Sequence, residues 1–91
     1  MSVLIRFAPP SMTASQYDET VRRLEEVGDW PADGLDFHVC FGTDPELRVS
    51  EIWDSREQLD AFGQRLMPVL SEVGLDPGEP VVVEIHNIVR R

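Results

Sequence analysis

The sequence lacks the features that several common classes of protein require. Its one cysteine, Cys40, cannot form an internal disulfide bond and cannot make a zinc site by itself. No Gly-rich phosphate loop and no nucleophile-elbow motif are present. No stretch approaches the roughly 18 apolar residues that span a bilayer, and the first residues do not resemble a signal peptide. We therefore expect a soluble cytoplasmic protein that does not bind membranes.

Positive charge is also scarce in this chain. Seventeen acidic residues outnumber eight basic ones, which gives a formal net charge of −9 at pH 7. Nucleic acids and anionic membrane surfaces are bound by basic patches, so this charge argues against both partners. The 91 residues form one predicted domain, residues 1–91. A domain of this size buries only about 60–65% of its unfolded surface, which favours oligomers.

What the sequence does contain is a regular alternation of strand and helix patterns. Thr13 with Gln16, and Ser55 with Gln58, form capping-box patterns that open two amphipathic helices. Pro68 should kink the second of these helices. Runs of β-branched and aromatic residues predict strands over residues 3–8, 35–41, 48–53 and 81–88. The order β-α-β-β-α-β predicts an α+β, ferredoxin-like fold with a four-stranded antiparallel sheet.

Side-chain alternation predicts which side of the sheet each residue occupies. Right-handed crossovers place both helices on one side. That side is predicted to carry Val3, Ile5, Phe7, Leu35, Phe37, Val39, Phe41, Leu47, Val49, Glu51, Trp53, Val81, Val83 and Ile85. The other side is predicted to carry Leu4, Arg6, His38, Cys40, Arg48, Ser50, Ile52, Val82, Glu84, His86 and Ile88. A mixed face of this kind suits a homodimer interface, in which Glu84 would balance the arginines.

Residues 51–62 join the third predicted strand to the second helix and carry a family resemblance. Their pattern consists of Glu51, Trp53, Ser55, Glu57, Leu59 and Phe62. In a chain with this element order, it resembles the antibiotic biosynthesis monooxygenase-like proteins of the dimeric α/β-barrel superfamily. The resemblance implies two ferredoxin-like subunits whose sheets join into one barrel. It also implies a ligand pocket between sheet and helices in each subunit.

Glu51 is the residue that fits its predicted apolar face least well. A buried carboxylate must be hydrogen-bonded or must line a polar cavity, because leaving it unpaired is costly. We interpret Glu51 and His38 as candidate catalytic residues that assist proton removal from a substrate hydroxyl. The structural alternative is that Glu51 accepts hydrogen bonds from backbone or Tyr17, and that His38 is a satisfied interface residue. The candidate ligand-binding residues are Trp53, Tyr17, Phe62, Leu66 and Met67.

Three functions follow from the resemblance and the candidate residues. The first is a cofactor-independent, monooxygenase-like enzyme that acts on a small aromatic or quinol-type molecule. The second is a non-enzymatic dimer that binds a small hydrophobic ligand or stabilises an assembly. The third is a haem-degrading enzyme, disfavoured because Phe62 and Gly63 stand where many superfamily members have a helix histidine. With two histidines and one cysteine, we expect no metal and no bound cofactor.

Overall fold

Four strands and two helices alternate along the chain in the predicted order. The computed structural model describes residues 1–91. The elements are β1 (Val3–Phe7), α1 (Ala14–Glu26), β2 (Leu35–Thr43), β3 (Glu46–Trp53), α2 (Arg56–Val73) and β4 (Val81–Glu84). Neither helix is long and apolar enough to cross a membrane. The α+β class and the β-α-β-β-α-β order are thereby confirmed.

Local sequence signals determine where the helices begin and end. The Thr13 hydroxyl accepts a hydrogen bond from the Gln16 backbone N–H, and the Gln16 side chain accepts one from the Thr13 N–H, both at 3.0 Å. Ser55 caps α2 by accepting from the Gln58 N–H at 3.2 Å. At the other end, Gly74 adopts a left-handed conformation (φ 78°) that residues with a Cβ rarely tolerate. Helix α2 continues through Pro68 to its last residue, Val73.

The strands form one antiparallel sheet in the order β2-β3-β1-β4. One face of this sheet packs against both helices. Its main hydrophobic cluster joins the sheet to α1 and α2 through Val3, Ile5, Leu24, Ala32, Trp53, Leu59 and Phe62. Because β3 lies between β1 and β2, a residue in the middle of β3 has neighbours on both sides. Glu51 occupies that position, opposite Ile5 and His38.

Most of strand β2 faces the opposite way from the prediction. A bulge between Leu35 and Phe37 inserts one unpaired residue, after which every side chain changes sides. His38 is paired with Glu51 and Cys40 with Val49, so both lie on the helix side of the sheet. Phe37, Val39 and Phe41 are exposed on the other side. The predicted side was therefore right for Leu35, which packs against the main cluster, and wrong from Phe37 onwards, because the prediction assumed uninterrupted alternation.

Strand β4 is shorter than predicted, and its side chains lie on the opposite sides of the sheet from those predicted. It ends at Glu84, so His86 and Ile88 lie outside any strand. Val82 is paired with Ile5 and packs against the main cluster, whereas Val81 and Val83 are exposed. Glu84 is paired with Val3, which places it on the helix side. It therefore cannot balance the arginines on the other face, as the sequence had suggested.

The sheet surface remote from the helices, which we call the open face, is more apolar than predicted. It consists of Leu4, Arg6, Phe37, Val39, Phe41, Thr43, Glu46, Arg48, Ser50, Ile52, Val81 and Val83. Glu46 is its acidic residue and lies at one end of β3, and neither Arg6 nor Arg48 forms an ion pair within the chain. An uncovered apolar surface of this kind is typical of interaction sites.

The homodimer predicted from the sequence can be tested on this open face. Val83 is 48% exposed there, so Val83→Asp should preserve the fold while placing a charge in any contact between two sheets. We expect the wild-type chain to sediment as a dimer at micromolar concentration and the variant to sediment as a monomer. Met67→Asp is the matched control, because Met67 is 52% exposed on α2 rather than on the sheet. A monomeric wild type, or a variant that stays dimeric, would contradict the prediction.

Candidate functional site

The register of β2 and β3 brings the two candidate catalytic residues together. His38 and Glu51 are directly opposite each other, and Nδ1 of His38 lies 2.6 Å from Oε2 of Glu51. Glu51 is only 4% exposed. A carboxylate only accepts hydrogen bonds, so the proton between them belongs to Nδ1 of the imidazole. In the neutral ring, this leaves Nε2 with a free lone pair.

The second carboxylate oxygen of Glu51 is also occupied. The indole N–H of Trp53 donates to Oε1 at 2.9 Å, and Trp53 is wholly buried two residues further along β3. No buried side-chain polar atom in the structure lacks a hydrogen-bond partner. Glu51 is thus held in one orientation by a donor from each side, as its burial requires.

Helix α1 supplies the third member of the site. The Tyr17 hydroxyl lies 2.7 Å from Nε2 of His38, and its ring is stacked on the imidazole with centroids 5.9 Å apart. With Nδ1 donating to Glu51, Nε2 accepts and Tyr17 donates. Tyr17, His38 and Glu51, which we call the triad, therefore form a continuous path of hydrogen bonds. The path runs from α1 through β2 to β3 in the middle of the sheet.

Burial keeps the Tyr17 phenol protonated. Desolvation, followed by unfavourable interaction of a phenolate with Cys40, Glu51 and Asp18, raises the pKa of Tyr17 from 10.0 to about 12. At neutral pH this hydroxyl is a hydrogen-bond donor and not a base. The group in the triad suited to accept a proton is therefore the imidazole of His38.

The triad lies in the wall of an apolar pocket between the sheet and the helices. The pocket has a volume of about 70 Å³, and 11 of its 16 lining residues are hydrophobic. Thr20 also lies in the wall, but its hydroxyl donates to the backbone carbonyl of Gln16 at 2.8 Å. Apart from the indole N–H of Trp30, the triad therefore supplies the polar groups that a ligand could meet here. Apolar walls with a few convergent polar groups are the usual composition of a small-molecule site.

Most of the residues singled out from the sequence meet at this pocket. Phe62 and Leu66 line it together with the triad. Trp53 is not in the wall, since it lies behind Glu51 and orients it. Met67 is exposed and takes no part in the pocket, which removes it from the ligand-binding set.

Sequence reasoning missed Trp30. This residue precedes a proline in a turn-rich connection, yet it lines the pocket and packs edge-on against His38 with centroids 4.8 Å apart. The neighbouring Asp29 forms an ion pair with Arg65 of α2 at 3.2 Å, which ties this connection to the helix. A tryptophan in a loop was the available signal, because so large a ring is rarely left in solvent.

No group of three or more His, Cys, Asp and Glu side chains is arranged to hold a metal ion. The titratable groups of the site instead pair with one another and with an indole. The arrangement can orient an imidazole, leave its Nε2 accessible to a hydroxyl and stabilise the cation that forms on protonation.

Comparison with known proteins identifies the fold. The chain matches no protein-family model and no curated protein. Among solved structures, it is similar to a provisional antibiotic biosynthesis monooxygenase from Chloroflexus aurantiacus, with a TM-score of 0.67, 16% identity, and coverage of 99% of this chain and 98% of that one. It is also similar to SnoaB, a cofactor-independent oxygenase from Streptomyces nogalater (TM-score 0.63, 11% identity, coverage 99% and 96%).

A third similar structure is a dimeric ferredoxin-like protein of unknown function from Thermobifida fusca (TM-score 0.50, 10% identity, coverage 90% and 86%). At these identities the likeness establishes the fold alone. The fold is the ferredoxin-like one of antibiotic biosynthesis monooxygenase-like proteins, as the resemblance of residues 51–62 implied.

Replacing Glu51 with glutamine should destabilise the protein. The replacement amide has one oxygen where two donors, from His38 and Trp53, now bind. Either one N–H loses its partner, or the imidazole moves its proton to Nε2 and no longer accepts the Tyr17 hydrogen bond there. We expect Glu51→Gln to lower the free energy of unfolding by about 1–3 kcal/mol, measured by urea denaturation. The exposed Glu46→Gln is the control and should change it by less than about 0.5 kcal/mol. Equal stability of the two variants would show that Glu51 is not held as described.

Alkaline pH should reveal the burial of Tyr17. The chain contains no lysine and one tyrosine, so few groups titrate above pH 9. The pKa of tyrosine is 10.0 in the unfolded chain and about 12 in the folded protein. Between these two values the folded state therefore binds more protons than the unfolded state. Stability should therefore fall as pH rises from 10.0 to about 12. Cys40→Ser would be introduced into the wild type and into Tyr17→Phe, because it removes the only thiol. The urea midpoint should then fall less with rising pH in Tyr17→Phe than in the protein that keeps Tyr17. Equal falls would contradict the raised pKa of Tyr17.

Proposed function

We propose that this protein is a cofactor-independent, monooxygenase-like enzyme that acts on a small aromatic or quinol-type molecule. The observation that supports the proposal most directly is the triad in the wall of the apolar pocket. The fold of SnoaB, described as a cofactor-independent oxygenase, agrees with it. Fold alone would not suffice, because one fold hosts many functions.

The side chains that line the pocket suit an aromatic ring that carries one acidic hydroxyl. The ring would contact apolar side chains such as Phe62 and Leu66, and Trp30 offers an aromatic surface. The hydroxyl would meet Nε2 of His38, the acceptor nitrogen of the Glu51-bound imidazole, in place of the Tyr17 hydroxyl that now lies 2.7 Å from it. Ligands with several charges would be excluded, because the wall offers them no partners.

In this proposal His38 acts as the general base. Nε2 takes the hydroxyl proton of the substrate, and the resulting imidazolium is stabilised by Glu51 at 2.6 Å from Nδ1. Trp53 keeps the carboxylate oriented throughout. The product of this step is an electron-rich phenolate ring held in a largely apolar environment.

Molecular oxygen is the second substrate. A ring carbon of the phenolate forms a C–O bond with O₂, and the peroxide oxygen takes back the proton held by His38. Cleavage of the O–O bond and loss of the ring C–H proton release water and leave a carbonyl. Phenol and O₂ thus become quinone and water. The substrate supplies all four electrons that reduce the oxygen, so no outside reductant is required.

We also propose that the protein acts as a cytoplasmic homodimer assembled through the open face. The exposed Phe37, Val39 and Phe41 of that face support this arrangement. The similar Thermobifida fusca protein is described as dimeric.

Replacing His38 should separate catalysis from folding. His38→Gln keeps an N–H for Glu51 but cannot act as a base, so the rate of oxygen consumption should fall by about 10²–10⁴-fold. The assay would follow dissolved oxygen with a panel of one- and two-ring hydroxylated aromatics and would identify the quinone product. His86→Gln is the matched control, because the second histidine is exposed and outside the pocket. Oxygen consumption that is absent from the wild type, or equal in both variants, would contradict the proposal.

A further inference from the structure

The pocket already contains a phenol, which is the side chain of Tyr17. Its ring is stacked on the imidazole of His38, and its hydroxyl lies 2.7 Å from Nε2. The second of these contacts is the one that the proposed function assigns to the substrate hydroxyl. The lone pair required to deprotonate a substrate is therefore occupied by a residue of the chain itself.

The remaining space is too small for a second ring. The pocket has about 70 Å³, whereas an engineered apolar cavity that binds benzene has roughly 150 Å³. A phenolic ligand therefore does not fit beside Tyr17 in this arrangement. Removing the tyrosine ring would free both the volume of one ring and the acceptor on His38.

We propose that Tyr17 is a displaceable plug, and that the site takes monocyclic phenols, which bind by replacing the Tyr17 ring on His38. This inference rests on the proposed function and names its ligand class and the step that opens the site. It differs from a role in which Tyr17 stays in place and touches the ligand.

The contacts of Tyr17 are consistent with an exchange of this kind. Its one side-chain hydrogen bond is the one to His38, and the side chain is only partly buried. Tyr17 lies near the start of α1, where a helical residue can adopt either of two χ1 rotamers. Displacement replaces one phenol–imidazole hydrogen bond with another, while the Tyr17 hydroxyl finds water. A ligand without a hydroxyl would lose that bond without replacing it.

The proposal predicts that removing the Tyr17 hydroxyl strengthens ligand binding. Calorimetric titration with phenol, and with toluene as the ligand that lacks the hydroxyl, would compare wild type with Tyr17→Phe. The variant has lost the hydrogen bond that retains the plug, so it should bind phenol about tenfold more tightly. Phenol should bind more tightly than toluene to both proteins, and His38→Gln should abolish that preference. Phenol affinity that is unchanged or weaker in Tyr17→Phe, or no phenol binding to either protein, would overturn the proposal.

A second measurement uses the wild-type protein alone. Because the chain has a single tyrosine, selective ¹³Cζ labelling gives one resonance. Saturation with unlabelled phenol should move that resonance towards the position of solvent-exposed tyrosine. If the resonance does not move while phenol binds, the proposal that phenol displaces the Tyr17 ring is wrong.

These results are distinguishable from failure of the proposed function. Phenol binding that displaces Tyr17, without oxygen consumption, would support the Tyr17 proposal and contradict the proposed enzymatic function. Oxygen consumption that depends on His38, together with an unchanged Tyr17 resonance, would support the proposed enzymatic function and contradict the Tyr17 proposal.

Discussion

The burial of one carboxylate in the middle of the sheet is the constraint on which the rest of this structure depends. Glu51 occupies a position on β3 that its neighbours make apolar, and an unpaired charge there would cost several kcal/mol. The chain satisfies it with an imidazole N–H from β2 and an indole N–H from β3 itself. These two bonds determine which nitrogen of His38 carries the proton. The chemistry proposed for the pocket therefore derives from a requirement of the core.

The bulge in β2 couples this site to the opposite surface of the sheet. Without the extra residue, His38 would lie on the open face and Phe37 would lie under the helices, since a shift of one residue moves every side chain across the sheet. The same bulge leaves Phe37, Val39 and Phe41 uncovered. One local irregularity thus places a polar triad in the pocket and an apolar surface outside it.

The similar solved structures share the backbone arrangement with this chain at 10–16% identity. A sheet covered by two helices leaves a space between these layers, and the side chains around it decide what that space can do. Here the space is small because Tyr17 occupies part of it. The fold therefore supplies the location of a ligand pocket, while the triad supplies its specific chemistry.

The sequence by itself determined the features that depend on neighbouring residues. The caps at Thr13 and Ser55, the helical periodicities and the strand runs predicted every element in order. They also placed Glu51 and Trp53 on one strand face, because residues two apart always share a face. From that order the ferredoxin-like fold followed.

Only the tertiary structure decided the faces of β2 and β4 and the contacts of the triad. A bulge is set by strand pairing, and the run Val81–Glu84 contains three successive valines whose alternation cannot be read from their types. The triad joins residues 13 and 21 positions apart along the chain, through sheet register and helix packing. Such contacts leave no local pattern, because each exists only after the separate elements have come together.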